Sequence, residues 1–197
     1  MRFHSLLLLL FAGTVSAHAE FADDCARLTG TPALEACDAA IERNPRDVRS
    51  LFYRGIAHLQ LKERQRAISD FTAAIEIDPS QPEHYYQRAI SRVDPDAPGG
   101  LPRDLFEAAL LDLGTVIRLN TKHDWAYNKR GWLYFASDVD RALSDFDEAA
   151  RLSPDEPLHV FARGAVFLAK GWTARAMAEF ERSNKLAIRS PKMQARP

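Results

Sequence analysis

Residues 48–79 read VRSLFYRGIAHLQLKERQRAISDFTAAIEIDP, and the prediction of the fold starts from them. Large apolar residues return along it at helical spacing, which predicts two amphipathic helices joined by a short polar turn. Small residues lie where the two helices would cross: Gly55 in the first, and Ala67 and Ala74 in the second. A lone hairpin of this kind leaves apolar surface uncovered, whereas a stack of hairpins covers it. We therefore expect the motif to recur.

Further copies of the motif begin at residues 82, 124 and 157. Each copy repeats a small residue in the first helix, and an alanine and a large apolar residue in the second. These residues are Gly55, Ala89, Gly131 and Gly164; Ala67, Ala109, Ala142 and Ala176; and Phe71, Leu113, Phe146 and Phe180. Residues 33–45 match only the second half of the unit, and a proline- and glycine-rich insertion at 93–104 divides the second copy.

This spacing resembles that of the tetratricopeptide repeat (TPR) family, and the resemblance covers about residues 33–188. It implies an all-α, right-handed solenoid of antiparallel helix pairs with about four and a half repeats. The repeats would lie at 48–81, 82–123, 124–156 and 157–190, after an N-terminal cap or half repeat at 20–47 and before a disordered tail at 191–197. The last repeat is degenerate. The resemblance also implies a concave groove, lined by the first helices, that holds a peptide or a partner protein.

The first 19 residues differ from the rest of the chain. Arg2 precedes an apolar run at 6–11, and Ala17-His18-Ala19 forms a small-x-small cleavage site, which is typical of a secretory signal peptide. We expect cleavage after Ala19, a mature protein in the periplasm or outside the cell, and no membrane insertion after cleavage. The alternative is an uncleaved anchor, which the short apolar run disfavours.

Export would place the two cysteines, Cys25 and Cys37, in an oxidising compartment. They flank a predicted turn at residues 30–32, so we expect a disulfide that clamps a small N-terminal hairpin. In the chain-entropy model, such a bridge stabilises the folded state by about 2–3 kcal/mol. Free thiols or a redox pair are the alternatives, and the spacing is not the C-x-x-C of redox motifs.

Opposite charges recur in register through the four copies. The basic residues are Arg54, Arg88, Arg130 and Arg163 in the first helices, and the acidic residues are Asp70, Asp112, Asp145 and Glu179 in the second helices. One interpretation is a ladder of arginines that faces a groove and takes acidic ligands. The other, which we favour, is a partly buried structural ion pair that repeats because the unit repeats, since guanidinium groups match carboxylates in geometry.

Aromatic and polar residues on the first helices are the candidate partner-binding groove. They are Phe52, Tyr86, Trp125, Asn128, Lys129, Trp132, Phe135 and Phe161. Tryptophan and tyrosine are over-represented at binding hot spots. The alternative is that these rings pack between neighbouring first helices, since aromatic stripes at helical spacing usually belong to the core.

No motif of an enzyme, a metal site or a cofactor site is present in the sequence. Asp94 and Asp96 lie in the insertion but lack the alternating oxygen ligands of a calcium loop. The formal net charge of −1 argues against nucleic acid, because binding to phosphates needs a basic face. We expect a non-catalytic scaffold or adaptor without a cofactor. One alternative is an accessory or small-molecule-binding subunit of an envelope enzyme or assembly complex. A further alternative is a self-assembling solenoid, a homo-oligomer.

Overall fold

The structure is a computed structural model that describes residues 22–93 and 101–189. All secondary structure in these residues is helical, which confirms the all-α prediction. The helices are α1 (residues 22–27), α2 (Gly30–Arg43), α3 (Val48–Gln60), α4 (Arg64–Ile77), α5 (Pro82–Arg92), α6 (Arg103–Leu119), α7 (Asp124–Tyr134), α8 (Val139–Leu152), α9 (Pro157–Ala169) and α10 (Thr173–Arg189). The predicted signal peptide, Asp94 and Asp96 in the insertion, and the predicted tail lie outside the described residues.

The chain divides into two compact units, residues 1–100 and 101–197. In the first unit, α3 and α4 pack as a hairpin between α2 and α5. In the second unit, α7–α8 and α9–α10 form consecutive hairpins, and α6 packs against α7. The two helices of the second predicted repeat, α5 and α6, belong to different units, so the four repeat boundaries stay a prediction.

Local sequence fixes where the helices begin and turn. Carboxylates cap three of them: Asp47 accepts a hydrogen bond from the Arg49 amide at the start of α3, Asp138 from the Arg141 amide at the start of α8, and Glu156 from the Leu158 amide at the start of α9. Proline occupies the first position of α5 and of α9, where its missing N–H costs nothing. Gly171 adopts a φ of +75° in the tight turn between α9 and α10.

Each fully described hairpin is closed by a phenylalanine ring that faces a glycine. A Cβ built on Gly55 would lie 2.7 Å from Phe71 Cε1, and one on Gly131 would lie 2.6 Å from Phe146 Cε1. Gly164 stands in the same relation to Phe180, at 2.7 Å. The four predicted alanines of the second helices are fully buried. The close helix approach predicted from the small residues is therefore confirmed in these hairpins.

The N-terminal segment is held by a covalent bond. Cys25 in α1 and Cys37 in α2 form a disulfide, as predicted, and both residues are buried. The guanidinium of Arg49 in α3 also pairs with Asp23 in α1 at 2.8 Å. The short helix α1 is therefore tied to both of the helices that follow it.

Within residues 22–93 and 101–189, none of the helices combines the length and the apolar character that crossing a membrane requires.

Candidate functional site

The predicted ion pairs form inside three hairpins. Arg54 donates from Nε and Nη2 to the two carboxylate oxygens of Asp70, at 3.0 and 2.7 Å. Arg130 holds Asp145 in the same bidentate way, at 2.9 and 2.7 Å. Both carboxylates are only 5% exposed, and their hydrogen bonds raise the pKa of each arginine above its usual value. These contacts agree with the structural interpretation of the pairs, since partly buried charges need such partners.

The last hairpin carries a weaker form of this pair. Glu179 stands where the other hairpins have aspartate, and Arg163 donates to it through Nη2 alone, at 2.7 Å. The Arg163 Nε and the second oxygen of Glu179 are buried and have no hydrogen-bond partner among the described residues. A longer acid therefore loses one of the two parallel bonds that match an arginine fork to a carboxylate.

The arginines also contact the second helix of the preceding repeat, which the sequence reasoning missed. Nη1 of Arg54 donates to Asp38 in α2 at 2.8 Å, and Nη1 of Arg88 donates to Thr72 in α4 at 3.2 Å. Nη1 of Arg163 lies 3.6 Å from Asp147 in α8. In each case the partner precedes the arginine by 16 residues, and this constant spacing is the signal that could have revealed the contact.

Arg130 is the exception to this rule. The residue 16 positions before it is Gly114, which has no side chain to offer. A Cβ built on Gly114 would meet nothing within 4 Å, in contrast to the glycines that face phenylalanine rings. An open cleft of about 600 Å³ lies between α6 and α7 at this point, and its lining includes Gly114, Arg130 and Tyr134.

The predicted groove residues of the first unit are partly covered by neighbouring rings. The ring centroid of Phe52 lies 5.7 Å from that of Phe71 and 5.2 Å from that of His84 in the next first helix. Tyr86 is half-buried. Phe52 thus follows the alternative interpretation, in which these rings pack between consecutive repeats.

Two predicted groove residues of the second unit also pack inward. Trp125 meets the ring of His159 at 4.8 Å, and Lys129 Nζ lies 5.9 Å from the Trp125 ring. Asn128 is only 2% exposed, and its Nδ2 is buried without a hydrogen-bond partner in the described part of the chain. Trp125 and Asn128 therefore support the packing of α7 against its neighbours.

Three predicted groove residues, Lys129, Trp132 and Phe161, are exposed. Trp132 keeps 39% of its surface accessible while its ring contacts Phe135 at 5.4 Å and the buried Phe146 at 5.1 Å. Phe161 is 45% exposed and leans on Phe180. Each of these two rings packs against a phenylalanine of its own hairpin on one side and is accessible to solvent on the other, which suits a contact surface.

Buried histidines lie at the seams between repeats. His159 is fully buried in α9, and its Nε2 lies 3.0 Å from Asp124 Oδ2 at the start of α7. Burial would raise the pKa of Asp124, but hydrogen bonds from Ser153 and His159 outweigh it and lower the pKa below its usual value. In the first unit, burial lowers the pKa of His84. Within the described ranges, no group of three or more His, Cys, Asp or Glu residues could hold a metal ion.

The repeat pattern, the glycine–phenylalanine contacts and the ion pairs define a helical repeat protein, and comparison identifies its family. A model of the tetratricopeptide repeat family matches residues 33–82 and 132–191, which together exceed half of the chain. The chain belongs to the tetratricopeptide repeat family.

Two curated relatives share parts of the sequence. Tetratricopeptide repeat protein 13 of Homo sapiens is 26% identical over 162 residues, which are 79% of this chain and 18% of that protein. The FK506-binding protein-like of Mus musculus is 37% identical over 57 residues, which are 28% of this chain and 16% of that protein. The chain thus matches less than a fifth of the length of either relative.

Solved structures share the fold. MamA residues 41 to the end from Desulfovibrio magneticus RS-1 align with a TM-score of 0.73 and 20% identity, over 89% of this chain and 96% of that one. YrrB, described as a TPR protein with an unusual peptide-binding site, aligns with a TM-score of 0.62 and 17% identity, over 91% and 84%. At these identities the likeness concerns the fold alone, and TPR folds are typically non-catalytic.

Proposed function

We propose that this TPR protein is an exported, non-catalytic scaffold that binds a protein or peptide partner. The partner contacts the exposed groove residues of the second unit, Lys129, Trp132 and Phe161, which we call the aromatic surface. The observation that carries the proposal is the exposed ring of Trp132, which rests on the buried ring of Phe146. Because Phe146 is fixed against Gly131, Trp132 is presented on a rigid base. A large, pre-ordered aromatic ring binds with little loss of side-chain entropy, which is why tryptophan recurs at hot spots.

Lys129 and Phe161 join Trp132 as the accessible members of the predicted groove, whereas the half-buried and buried members position them. Lys129 lies one helical turn before Trp132 on α7, so a partner segment that covers the tryptophan can also meet a positive charge. Peptide binding is named for YrrB, which shares the fold. That likeness agrees with the proposal at the level of fold, and the site itself rests on the residues named here.

Export is proposed on two features of the chain. The first is the signal-like sequence that ends at Ala19, and the second is the Cys25–Cys37 disulfide, which needs an oxidising compartment to persist. Both features agree with a mature protein in the periplasm or outside the cell. N-terminal sequencing of the protein from fractionated cells tests this point. The expected terminus is Glu20 in the exported fraction, and an intact Met1 in the cytosolic fraction contradicts it.

Self-association is a second candidate, because the last hairpin exposes large apolar side chains. Leu158 and Leu168 of α9 and Met177 of α10 are each more than half exposed. Light scattering over a range of protein concentrations tests this candidate. A dimer whose mass falls when Met177 is replaced by Glu supports it, and a strict monomer at high concentration removes it.

Partner binding is tested by affinity capture from the native cell with Trp132→Ala and with a matched variant of a half-buried tryptophan, Trp125→Ala. The expected result is loss of the captured partner with Trp132→Ala in a protein that is still folded at the temperature of the capture. Trp125→Ala should lower the melting temperature, because it removes the ring against His159. Equal capture by the wild type and Trp132→Ala would overturn the assignment of this surface.

A further inference from the structure

The cleft between α6 and α7 is a gap in an otherwise regular contact. In three repeats the Nη1 group of the first-helix arginine meets a side chain 16 residues upstream: Asp38, Thr72 or Asp147. In the fourth, Gly114 leaves this place beside Arg130 empty of any side chain. The Nε and Nη2 groups of Arg130 are engaged by Asp145, as those of Arg54 are by Asp70.

The other repeats show what fits such a place. Two of the three occupants, Asp38 and Asp147, are carboxylates, and the third is a hydroxyl. A guanidinium has five N–H donors in a fixed fork, so the side of Arg130 that faces the cleft keeps donor capacity for a second carboxylate. A charge-assisted bond of this kind is shorter and stronger than a neutral one.

We propose that the cleft between α6 and α7 binds an acidic side chain of a partner protein, which takes beside Arg130 the place that Asp38 and Asp147 take in other repeats. The inference goes beyond the proposed function, because none of the eight predicted groove residues lines this cleft. It assigns a second contact and the charge of the partner residue that fills it.

The walls of the cleft suit this occupant. Leu110, Leu111 and Tyr134 supply apolar surface on both sides, and Leu111 is 73% exposed, so it can be covered by a partner. Removing water from around an ion pair strengthens its electrostatic attraction. Glu107 also lines the cleft, but its carboxylate is paired with Arg103 at 2.8 Å, which reduces its repulsion of an incoming acid.

The test uses a random heptapeptide library displayed on phage and selected on the wild-type protein, with Gly114→Asp protein as the counter-selection. The introduced aspartate would occupy the place beside Arg130 as Asp38 does beside Arg54, so it should exclude the ligand without harming the fold. Counter-selection also removes peptides that bind the aromatic surface, which separates this inference from the proposed function. The charge control is Asn184→Asp, which adds the same charge to an exposed position of α10.

The expected result is a set of peptides that share an aspartate or glutamate. Their affinity should fall at least tenfold on Gly114→Asp, and also when that acid is replaced by its amide, and it should stay within twofold on Asn184→Asp. The Gly114→Asp protein should melt no lower than the wild type. Peptides without an acid, equal binding to Gly114→Asp, or no peptide that depends on Gly114 would each overturn the inference.

Discussion

Gly131 sets the distance between α7 and α8, and replacing it by alanine measures how tightly that hairpin is packed. The added Cβ would lie 2.6 Å from Phe146 Cε1, whereas carbon atoms in contact rest at about 3.5–4.0 Å. Phe146 is fully buried in a cluster with Ala142, Ala162 and Val166, so its ring can move only if these neighbours move too. Overpacking of this kind costs about 1–3 kcal/mol, and the better helix propensity of alanine returns about 1 kcal/mol.

The expected net loss of unfolding free energy for Gly131→Ala is about 0–2 kcal/mol, the overpacking cost less the gain in helix propensity. Urea unfolding followed by tryptophan fluorescence measures this loss in the second unit, where Gly131 lies, because all three tryptophans belong to that unit. The matched control is Gly114→Ala in α6, where the added Cβ meets nothing within 4 Å. That variant should gain about 0.5–1 kcal/mol from helix propensity alone.

A second substitution shows whether the ring is the cause. The second copy of the motif carries Ala89 and Leu113 where this hairpin has Gly131 and Phe146. The chain therefore already combines an alanine in the first helix with a side chain smaller than phenylalanine in the second. The double variant Gly131→Ala/Phe146→Leu should lose less stability than the sum of the losses of the two single variants. The difference, which is the coupling energy, should be about 1 kcal/mol or more. If Gly131→Ala is as stable as Gly114→Ala, the packing argument is wrong.

Three further predictions test the other supports of the fold. Replacing Cys25 and Cys37 by serine should lower the free energy of unfolding by about 3 kcal/mol. Mass spectrometry of the wild type without reductant should give the mass of a protein with these two cysteines joined. Two unmodified thiols would contradict the disulfide. Asp145→Ala should lower the free energy of urea unfolding by about 2–4 kcal/mol, because it leaves the half-buried guanidinium of Arg130 without its carboxylate partner. The control Arg151→Ala breaks an exposed pair and should change stability by less than about 1 kcal/mol. Equal effects of the two substitutions would contradict the structural role of the repeated pair. Burial lowers the pKa of folded His84, so the unfolded chain binds the proton more readily and stability should fall as pH drops below about 6.5 towards the folded-state pKa. His84→Gln should therefore lose less melting temperature than the wild type between about pH 7.5 and 5.5, and an unchanged pH dependence would refute this.

The sequence was sufficient for the hairpins because their contacts are local and repeat with the unit. The spacing from Gly55 to Phe71 and from Arg54 to Asp70 is visible in a single copy, and comparison of copies confirms the register. The contact from Arg54 back to Asp38 was missed because it joins two copies and changes its chemistry from one copy to the next.

The aromatic positions could not be sorted from sequence for a related reason. Phe52 and Phe161 hold the same place in their hairpins, yet His84 of the next first helix covers Phe52, while Phe161 stays exposed in the last described hairpin. Whether such a ring is core or surface depends on what the following repeat places against it. Asn128, at the same position again, is buried for packing reasons that its own polarity does not reveal.

Site-specific photo-crosslinking in the living cell tests whether a partner protein contacts Trp132. A benzophenone amino acid would replace Trp132, whose exposed ring is the proposed contact, or Arg66, whose side chain is 69% exposed on α4 in the first unit and serves as the control. A discrete crosslinked partner is expected from position 132 and is expected to be absent from position 66. The same products from both positions, or none from position 132 in a folded protein, would contradict it.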